Sequence, residues 1–264
     1  MIIIGEKING FIPSTLAAIE ARDEAKIREL ARTQAETGAT YIDVCAGTAP
    51  EVERETMEWL INLVQDEVDT PLCIDSSDPQ VIIDMIPLAN KEGLLNSVSM
   101  EDNKCETLFP KIGDTGWKVV GLTCDSSGIP DDPKVKFDIA KQIITIAEAN
   151  GIAHDRILID PLVTTLATKQ DCLLSFTEAM RMILAEYPDV HITSGLSNIS
   201  FGMPFRKAIN MQFLALTMAQ GMDSAIMDPT SKDMQAVLHA VNALMGKDEY
   251  CMAYLESFRE GLFG

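Results

Sequence analysis

Short apolar runs that suit buried β-strands recur along the whole chain, and a stretch with helical periodicity follows each of them. Several runs are almost continuously apolar, which is typical of parallel strands that are covered on both faces. We find eight such runs: Ile2–Gly5, Tyr41–Val44, Leu72–Ile74, Leu94–Val98, Lys118–Leu122, Ile157–Ile159, His191–Ser194 and Ser224–Met227.

The segments between these runs carry the start and stop signals of amphipathic helices. A helical pattern follows Asp23 and ends at Gly38, and Pro50 lies near the start of the next helix. Asp78-Pro79 and Asp132-Pro133 each combine an N-cap aspartate with a first-turn proline. A regular alternation of strands and helices is therefore predicted.

Eight strand-then-helix units of roughly 30 residues each predict a (β/α)₈ TIM barrel, the α/β fold in which every helix returns the chain to a parallel neighbouring strand. A single domain over residues 1–264 is expected, since no linker or low-complexity segment separates the units. A doubly wound open sheet is the rival fold. It is the weaker prediction because no Gly-rich GxGxxG turn follows the first strand.

The charge balance restricts the possible partners. The chain has 40 Asp and Glu residues against 21 Lys and Arg residues, a net charge of −19. Such a surface repels phosphate backbones and anionic bilayers, so we expect no nucleic-acid and no membrane partner. The N-terminus lacks the basic region of a signal peptide, and the six cysteines are scattered without a CxxC pair. A cytoplasmic protein with reduced thiols is expected.

Carboxylate and amide side chains occur at or just after the ends of the predicted strands. They include Glu6, Asp75, Asn96, Asp160 and Asn198. Because the carboxyl ends of barrel strands build the active site, we expect these side chains to share one rim. Asp43 and Asp228 also lie at strand ends, but an Asp in that position often caps a helix or a turn. We expect those two to be structural.

The composition of this rim favours an organic ligand over a metal ion. Asn96 and Asn198 are amides, and the three histidines stand far apart, so no metal is expected. A carboxylate accepts two parallel hydrogen bonds from a ring N–H and its exocyclic amine, whereas an Asn both donates and accepts. Pterins and guanine both present that edge.

Five segments, spread over the full length of the chain, resemble the pterin-binding methyltransferases. This family includes the methyltetrahydrofolate:corrinoid/iron–sulfur protein methyltransferase, which the chain resembles most, and the folate domain of cobalamin-dependent methionine synthase. The order and the spacing of the segments agree together. The segments are Ile-Ile-Gly-Glu-Lys-Ile-Asn (3–9), Cys-Ile-Asp-Ser (73–76), Leu-Asn-Ser-Val (95–98), Ile-Asp-Pro-Leu (159–162) and Gly-Leu-Ser-Asn-Ile-Ser-Phe-Gly-Met-Pro (195–204).

The resemblance implies a role for each matching residue. Asp75, Asn96 and Asp160 match the positions that hold the pyrimidine edge of methyltetrahydrofolate. Asn198 matches the asparagine near the methyl-bearing N5, and it is the candidate catalytic residue. The further candidates in the substrate pocket are Glu6 and Arg206, each of which could instead be a member of a structural ion pair.

The resemblance also implies the reaction and the partner. The chain is expected to transfer the N5-methyl group between methyltetrahydrofolate and the cobalt of a corrinoid, as part of one-carbon metabolism. The nucleophile would be the Co(I) form of the corrinoid, which a separate protein carries. A tertiary amine is a poor leaving group, so N5 must be protonated, and the Asn198 oxygen could accept a hydrogen bond from that proton. A homodimer is implied as well.

Two alternatives remain open from the sequence. The first is a dihydropteroate synthase-like pterin enzyme, but its Ser-Arg-Lys and Arg-x-His patterns are replaced here by Ser197-Asn198-Ile199 and by an acidic stretch over 228–233. The second is a folate-binding module without catalysis. One departure from the methyltransferase pattern is Cys45, which stands where family members often carry Asn. We interpret it as a small buried thiol.

Overall fold

The computed structural model describes residues 1–263 and confirms the predicted barrel. Its parallel strands form one sheet in the order β7-β6-β5-β4-β3-β2-β1-β8, so that the first strand of the chain pairs with the last. The strands are β1 (Ile2–Asn9), β2 (Tyr41–Cys45), β3 (Leu72–Asp75), β4 (Leu94–Met100), β5 (Lys118–Asp125), β6 (Ile157–Asp160), β7 (His191–Ile192) and β8 (Ser224–Met227).

The barrel closes between β7 and β8 through a few contacts beyond the short β7 strand. Gly195 forms an isolated parallel bridge with Ile226, and the Ile226 N–H donates to the Ser194 carbonyl oxygen at 2.9 Å. The predicted seventh strand extended to Ser194, whereas the regular ladder ends at Ile192. The other boundaries agree with the prediction or extend beyond it by up to four residues.

Helices follow every strand. They are α1 (Pro13–Glu20), α2 (Glu24–Glu36), α3 (Pro50–Glu67), α4 (Pro79–Met85), α5 (Lys104–Ile112), α6 (Pro133–Ala149), α7 (Cys172–Glu186), α8 (Arg206–Gln220), α9 (Lys232–Leu244) and α10 (Met252–Arg259). Within residues 1–263, none of the helices has both the length and the apolar character required to cross a membrane.

The predicted N-caps are present. The side chains of Asp23, Asp78 and Asp132 accept backbone N–H bonds at the starts of α2, α4 and α6. The sequence did not predict α1 and α10. Both are only eight residues long and begin without a side-chain cap, so they offer little of the periodicity and none of the capping that predicted α2, α4 and α6.

Side-chain alternation along the strands separates two apolar layers. The inner layer fills the barrel and takes one residue from each of the first six strands: Ile4, Tyr41, Cys73, Leu94, Val120 and Leu158. The outer layer packs against the helices and includes Ile42, Ile74 and Ile159, all of which are fully buried. On β1 to β4, the residue two positions after the inner-layer residue lies on the same face and lines the barrel mouth; these four residues are Glu6, Asp43, Asp75 and Asn96.

Candidate functional site

A cleft of about 840 Å³ opens at the carboxyl ends of the strands. Its volume lies in the range that holds a small organic ligand. Five of the six predicted site residues line this cleft, together with Asp43. The five are Glu6, Asp75, Asn96, Asn198 and Arg206.

A β-bulge in β1 determines where Glu6 lies. Gly5 pairs with Ile42 and Ile8 pairs with Val44, so two residues of β1, Glu6 and Lys7, oppose the single residue Asp43. Such bulges redirect a side chain and are frequent next to functional sites. Here Glu6 is one of the two residues in the bulge, and its side chain lines the cleft.

Asp43 and Asp75 form a buried acidic pair at neighbouring strand ends. Burial and the charge of Asp43 raise the pKa of Asp75 well above its ordinary value, while the Cys45 thiol donates a hydrogen bond to Asp75 that lowers this pKa. Burial raises the pKa of Asp43 to about 6, although hydrogen bonding with the side chains of Cys73 and Asn96 lowers this pKa. Two adjacent buried carboxylates favour sharing a proton, because burial and mutual repulsion both disfavour two charges.

The structure differs from the expectation that Asp43 is a structural cap. Its side chain is only 1% exposed, and its Oδ1 atom has no hydrogen-bond partner within residues 1–263. A buried carboxylate oxygen without a partner is costly unless a ligand completes it. Asp228 does hold its own turn, because its Oδ1 accepts bonds from the Thr230 N–H and hydroxyl group, but it lines the cleft as well.

Glu6 is held in an acidic environment. Burial raises the pKa of Glu6 to about 7, and the charges of Asp228 and Asp43 add to this effect. The charges of Lys7 and Arg206 partly counteract it. Both the neutral acid and the carboxylate of Glu6 are therefore populated near neutral pH.

Asp160 lies beside the cleft without being part of its lining. One carboxylate oxygen accepts the Leu162 N–H at 2.7 Å and the other accepts the Gly195 N–H at 3.1 Å. Burial raises the pKa of Asp160 to about 6, against these two bonds and the charge of Lys136, which lower it. Asp160 thereby connects the β6 loop to the segment that carries Asn198.

Asn198 stands on a short 3-10 turn over Leu196–Ser200, and Arg206 anchors this turn. The Arg206 guanidinium donates to the Ser197 carbonyl oxygen at 2.9 Å and to the Ser200 hydroxyl at 3.0 Å. It also stacks on the Phe201 ring at 4.6 Å. These contacts indicate that Arg206 orients the turn as well as lining the cleft.

Gly195 leaves the space that the Asn198 side chain needs. A Cβ atom at Gly195 would come within 2.9 Å of Asn198 Nδ2, closer than real Cβ contacts allow. Asn210 on α8 also lines the cleft, and its buried Oδ1 has no hydrogen-bond partner in the described part of the chain. The sequence does not indicate Asn210, because a polar residue within a helix carries no signal that it faces a strand end.

Cys45 is the buried thiol that the sequence predicted. It is 6% exposed, and burial together with the charges of Asp75 and Asp43 raises the pKa of the thiol far above its ordinary value. The thiol is therefore protonated at physiological pH. In residues 1–263, no group of three or more His, Cys, Asp or Glu side chains is arranged to hold a metal ion.

Buried acids and amides at one rim can recognise a flat heterocycle by its hydrogen-bonding edge. Neutral Asp or Glu both donates and accepts, a carboxylate accepts, and Asn96 and Asn198 do both. This arrangement suits a ring with alternating N–H donors and carbonyl acceptors. Arg206 and Lys207 also line the cleft, and Lys207 forms an ion pair with Asp233.

A family model described as "Pterin binding enzyme" matches residues 13–228 of the chain. The chain is 50% identical over its full length to the methylcorrinoid:tetrahydrofolate methyltransferase of Eubacterium limosum and covers 98% of that protein. It is also 31% identical over 243 residues to the methionine synthase of Mycobacterium tuberculosis. This match covers 86% of the chain but only 20% of the larger methionine synthase.

Solved structures with the same fold include Yersinia pestis DHPS with a pterine-sulfa conjugate. It aligns with a TM-score of 0.66 at 18% identity over 93% of this chain and 94% of that chain. Dihydropteroate synthase from Xanthomonas albilineans in complex with 7,8-dihydropteroate aligns with a TM-score of 0.62 at 19% identity, over 94% of this chain and 93% of that chain. At these identities the likeness shows the fold alone.

The raised pKa of Glu6 predicts a pH-dependent cost to stability. Folding favours the protonated form of Glu6. The contribution of Glu6 to the free energy of unfolding is therefore complete below about pH 4.5 and is lost as the pH rises through about 7. In Glu6→Gln this loss disappears. Relative to wild type, its free energy of unfolding should rise by roughly 1 to 3 kcal/mol between pH 4.5 and 8, since one pKa unit corresponds to about 1.4 kcal/mol.

Urea unfolding at a series of pH values measures this difference. Glu58→Gln, an exposed substitution on α3, is the matched control and should parallel wild type. Curves for Glu6→Gln and wild type that stay parallel over the whole range would contradict the assigned environment of Glu6.

Proposed function

We infer that the chain, which belongs to the pterin-binding enzyme family, is a methyltransferase that acts on tetrahydrofolate. It transfers the N5-methyl group between methyltetrahydrofolate and the cobalt of a corrinoid that a separate protein carries. The observation that carries this proposal is the 50% identity to a methylcorrinoid:tetrahydrofolate methyltransferase over the whole chain. The buried acidic and amide rim of the cleft supports it.

Asp75 and Asn96 bind the pyrimidine edge of the pterin at the base of the cleft, and Asp160 completes this edge. Asp160 already accepts two backbone N–H bonds, but each carboxylate oxygen has a second acceptor position for a ring N–H. Asp43, with its unpartnered Oδ1, adds a further acceptor beside Asp75. Glu6 and Arg206, the other two predicted pocket residues, lie around the reacting part of the ligand.

Asn198 acts at N5. When the methyl group leaves, the electron pair of the C–N5 bond stays on N5, so a protonated N5 is the better leaving group. The Asn198 side-chain oxygen accepts a hydrogen bond from this proton and stabilises the protonated form of N5, from which the methyl group leaves. The Arg206 anchor and the space at Gly195 hold the amide in place. The corrinoid supplies the cobalt that receives or donates the methyl group.

A corrinoid protein is the proposed partner, and it docks over the open end of the cleft. Aromatic side chains at this end support a protein contact: Phe11 is 80% exposed and Phe205 is 78% exposed. Exposed aromatic groups of this kind are enriched in protein interfaces. The fold is shared with dihydropteroate synthases, so it does not distinguish methyl transfer from the dihydropteroate synthase alternative.

A homodimer in the cytoplasm is the proposed state of the protein. The last two helices carry an apolar surface that includes Leu244, 84% exposed, and Phe258, 56% exposed, and a second copy of the chain would cover it. All six cysteines are free thiols, which fits a reducing compartment. One pterin-binding domain over residues 1–264 is likewise proposed, and the pairing of β1 with β8 supports it.

Methyl transfer is tested by following the loss of cob(I)alamin spectrophotometrically with methyltetrahydrofolate as donor. Wild type should consume cob(I)alamin, and Asn198→Ala should be slower by on the order of 10², as for the loss of one transition-state hydrogen bond. Asn242→Ala on α9, outside the cleft lining, is the control. An unchanged rate and pH profile in Asn198→Ala would exclude its role, and pterin binding without any transfer would favour a non-catalytic module.

Asp160→Ala should mainly weaken binding of methyltetrahydrofolate. Loss of a charge-assisted hydrogen bond is worth about 1.5–3 kcal/mol, so the dissociation constant measured by calorimetry should rise at least about tenfold. Asp155→Ala, an exposed substitution before the same strand, should bind like wild type. Normal affinity in Asp160→Ala would remove this residue from the pterin site.

The proposed dimer is tested by size-exclusion chromatography with light scattering. Wild type should have the mass of two chains, and the double variant Leu244→Glu, Phe258→Glu should have the mass of one, because two buried charges oppose association. Leu174→Glu on α7, where the side chain is 68% exposed, should remain dimeric. A wild-type mass of one chain would show that this surface does not form a stable dimer.

A further inference from the structure

The bulge in β1 changes which residues of that strand face the cleft. Before it, Ile4 belongs to the inner layer of the barrel, and regular alternation would place Ile8 on the same face as Ile4 and Glu6. The extra residue shifts this phase, so Ile8 packs in the outer core and Asn9 lines the cleft. The bulge therefore allows both Glu6 and Asn9 to reach the cleft from one strand.

Two buried side chains satisfy the backbone groups that the bulge removes from the sheet ladder. The Lys7 N–H donates to Gln34 Oε1 at 2.9 Å, and the Lys7 carbonyl oxygen accepts the Thr15 hydroxyl at 3.0 Å. Gln34 is 0% exposed and Thr15 is 3% exposed. Buried polar side chains are rarely retained without such a task, because their burial is costly.

Gln34 is itself fixed in position. Its Nε2 donates to the Leu30 carbonyl oxygen at 3.2 Å, one turn earlier in α2. A Cβ atom at Gly5 would come within 2.6 Å of Gln34 Oε1, so the glycine leaves the space through which Gln34 reaches β1. Helix α2 and strand β1 are thus joined at the one point where Glu6 turns into the cleft.

The charged groups around Glu6 come from four elements. Asp43 lies on β2, Asp228 follows β8, Lys7 is the neighbour on β1 and Arg206 begins α8. Lys7 Nζ pairs with Asp228 Oδ2 at 3.0 Å, which directs the lysine charge to that carboxylate. Glu6 thus shares the cleft with Asn198, yet unlike the amide it can gain and lose a proton.

We propose that Glu6 exchanges the N5 proton of the pterin during methyl transfer, and that Gln34 is the positioning residue that holds the Glu6 bulge in place. This inference rests on the proposed function. It assigns to Glu6 the proton transfer at N5, which the amide of Asn198 cannot perform. A carboxyl group with a pKa of about 7 is suited to both directions, since both of its forms are available at neutral pH.

The proton balances in each direction. In transfer to the corrinoid, Glu6 protonates N5, the C–N5 bond breaks with its electron pair remaining on N5, and the electron pair of Co(I) forms the new bond to carbon. In transfer to tetrahydrofolate, the N5 electron pair attacks the methyl carbon, the cobalt–carbon electron pair returns to cobalt, and the N5 proton passes to the Glu6 carboxylate. Glu6 returns to its starting form by exchange with water.

Glu6→Gln tests the catalytic part. The amide keeps the size and the hydrogen bonding but carries no exchangeable acid proton, so the single-turnover rate at pH 7 should fall by about 10²–10⁴. The step in the pH profile near pH 7 should disappear, while the affinity for tetrahydrofolate stays within about threefold of wild type. A wild-type rate and pH profile, or a loss of rate explained wholly by lost affinity, would overturn the assignment.

A binding measurement separates this inference from the proposed function. Calorimetry of tetrahydrofolate binding in buffers of different ionisation enthalpy counts the protons that move on binding. Wild type at pH 7 should exchange a fraction of a proton, and Glu6→Gln should lose the part that Glu6 contributes, so that the two proteins differ in the number of protons exchanged. If wild type transfers no methyl group but keeps a Glu6-dependent proton exchange, the proposed function fails, whereas Glu6 stands as the group that exchanges a proton with the bound pterin. Identical proton exchange in both proteins would overturn the inference alone.

Gln34→Met tests the positioning part, because it keeps the side-chain length and removes the acceptor for the Lys7 N–H. The single-turnover rate should fall about tenfold and the midpoint of the pH profile should shift, with little change in KM, as expected for a small displacement of a catalytic group. Thr15→Val removes the donor to the same bulge and should have the same effect, which protects the test if one variant folds poorly.

Gln65→Met is the matched control. Gln65 on α3 also bridges two backbone groups, the Leu88 carbonyl and the Asn90 N–H, but it lies outside the cleft lining. Its substitution should lower the melting temperature without moving the pH profile. If Gln34→Met and Thr15→Val lower only the melting temperature, as Gln65→Met does, their role is structural and the positioning assignment is wrong.

Discussion

Side-chain alternation along the closed parallel sheet is the constraint on which the rest of the structure depends. Strands β1 to β4 each place an apolar residue inside the barrel, and the next residue on the same face lines the cleft, as Cys73 and Asp75 do on β3. The inner layer excludes water from below, so the acids above it are buried on one side. The apolar core and the electrostatics of the site therefore have one geometric origin.

Burial of several carboxyl groups within one cleft changes what those groups can do. Burial raises the pKa values of Glu6, Asp43 and Asp75, and the charges of neighbouring carboxylates add to this at Glu6 and Asp75. Protonated acids can then donate hydrogen bonds as well as accept them. Most of the 40 acidic residues of the chain play no part in this, because they lie on the solvated surface where water stabilises their charge. The few at strand ends differ because of where the fold places them.

The same barrel occurs in proteins that resemble this chain only in fold. Dihydropteroate synthases share the architecture at 18–19% identity, whereas a methyltransferase shares half of all residues over the full length. In this chain the cleft is lined by side chains at the strand ends and by loops such as the Asn198 turn, which Arg206 and Phe201 hold. The scaffold provides a buried rim, and the residues placed on it select the reaction.

The sequence by itself determined the number of strands, the capped helices and four residues of the cleft, because periodicity, caps and strand ends are local properties; the fifth, Arg206, was predicted from the family resemblance. Only the tertiary structure decided three further points. Asp43 faces the cleft instead of capping a turn, Asp160 is occupied by backbone N–H groups of two loops, and a bulge held by Gln34 aims Glu6. Each depends on contacts between residues distant in the chain, which local patterns do not encode.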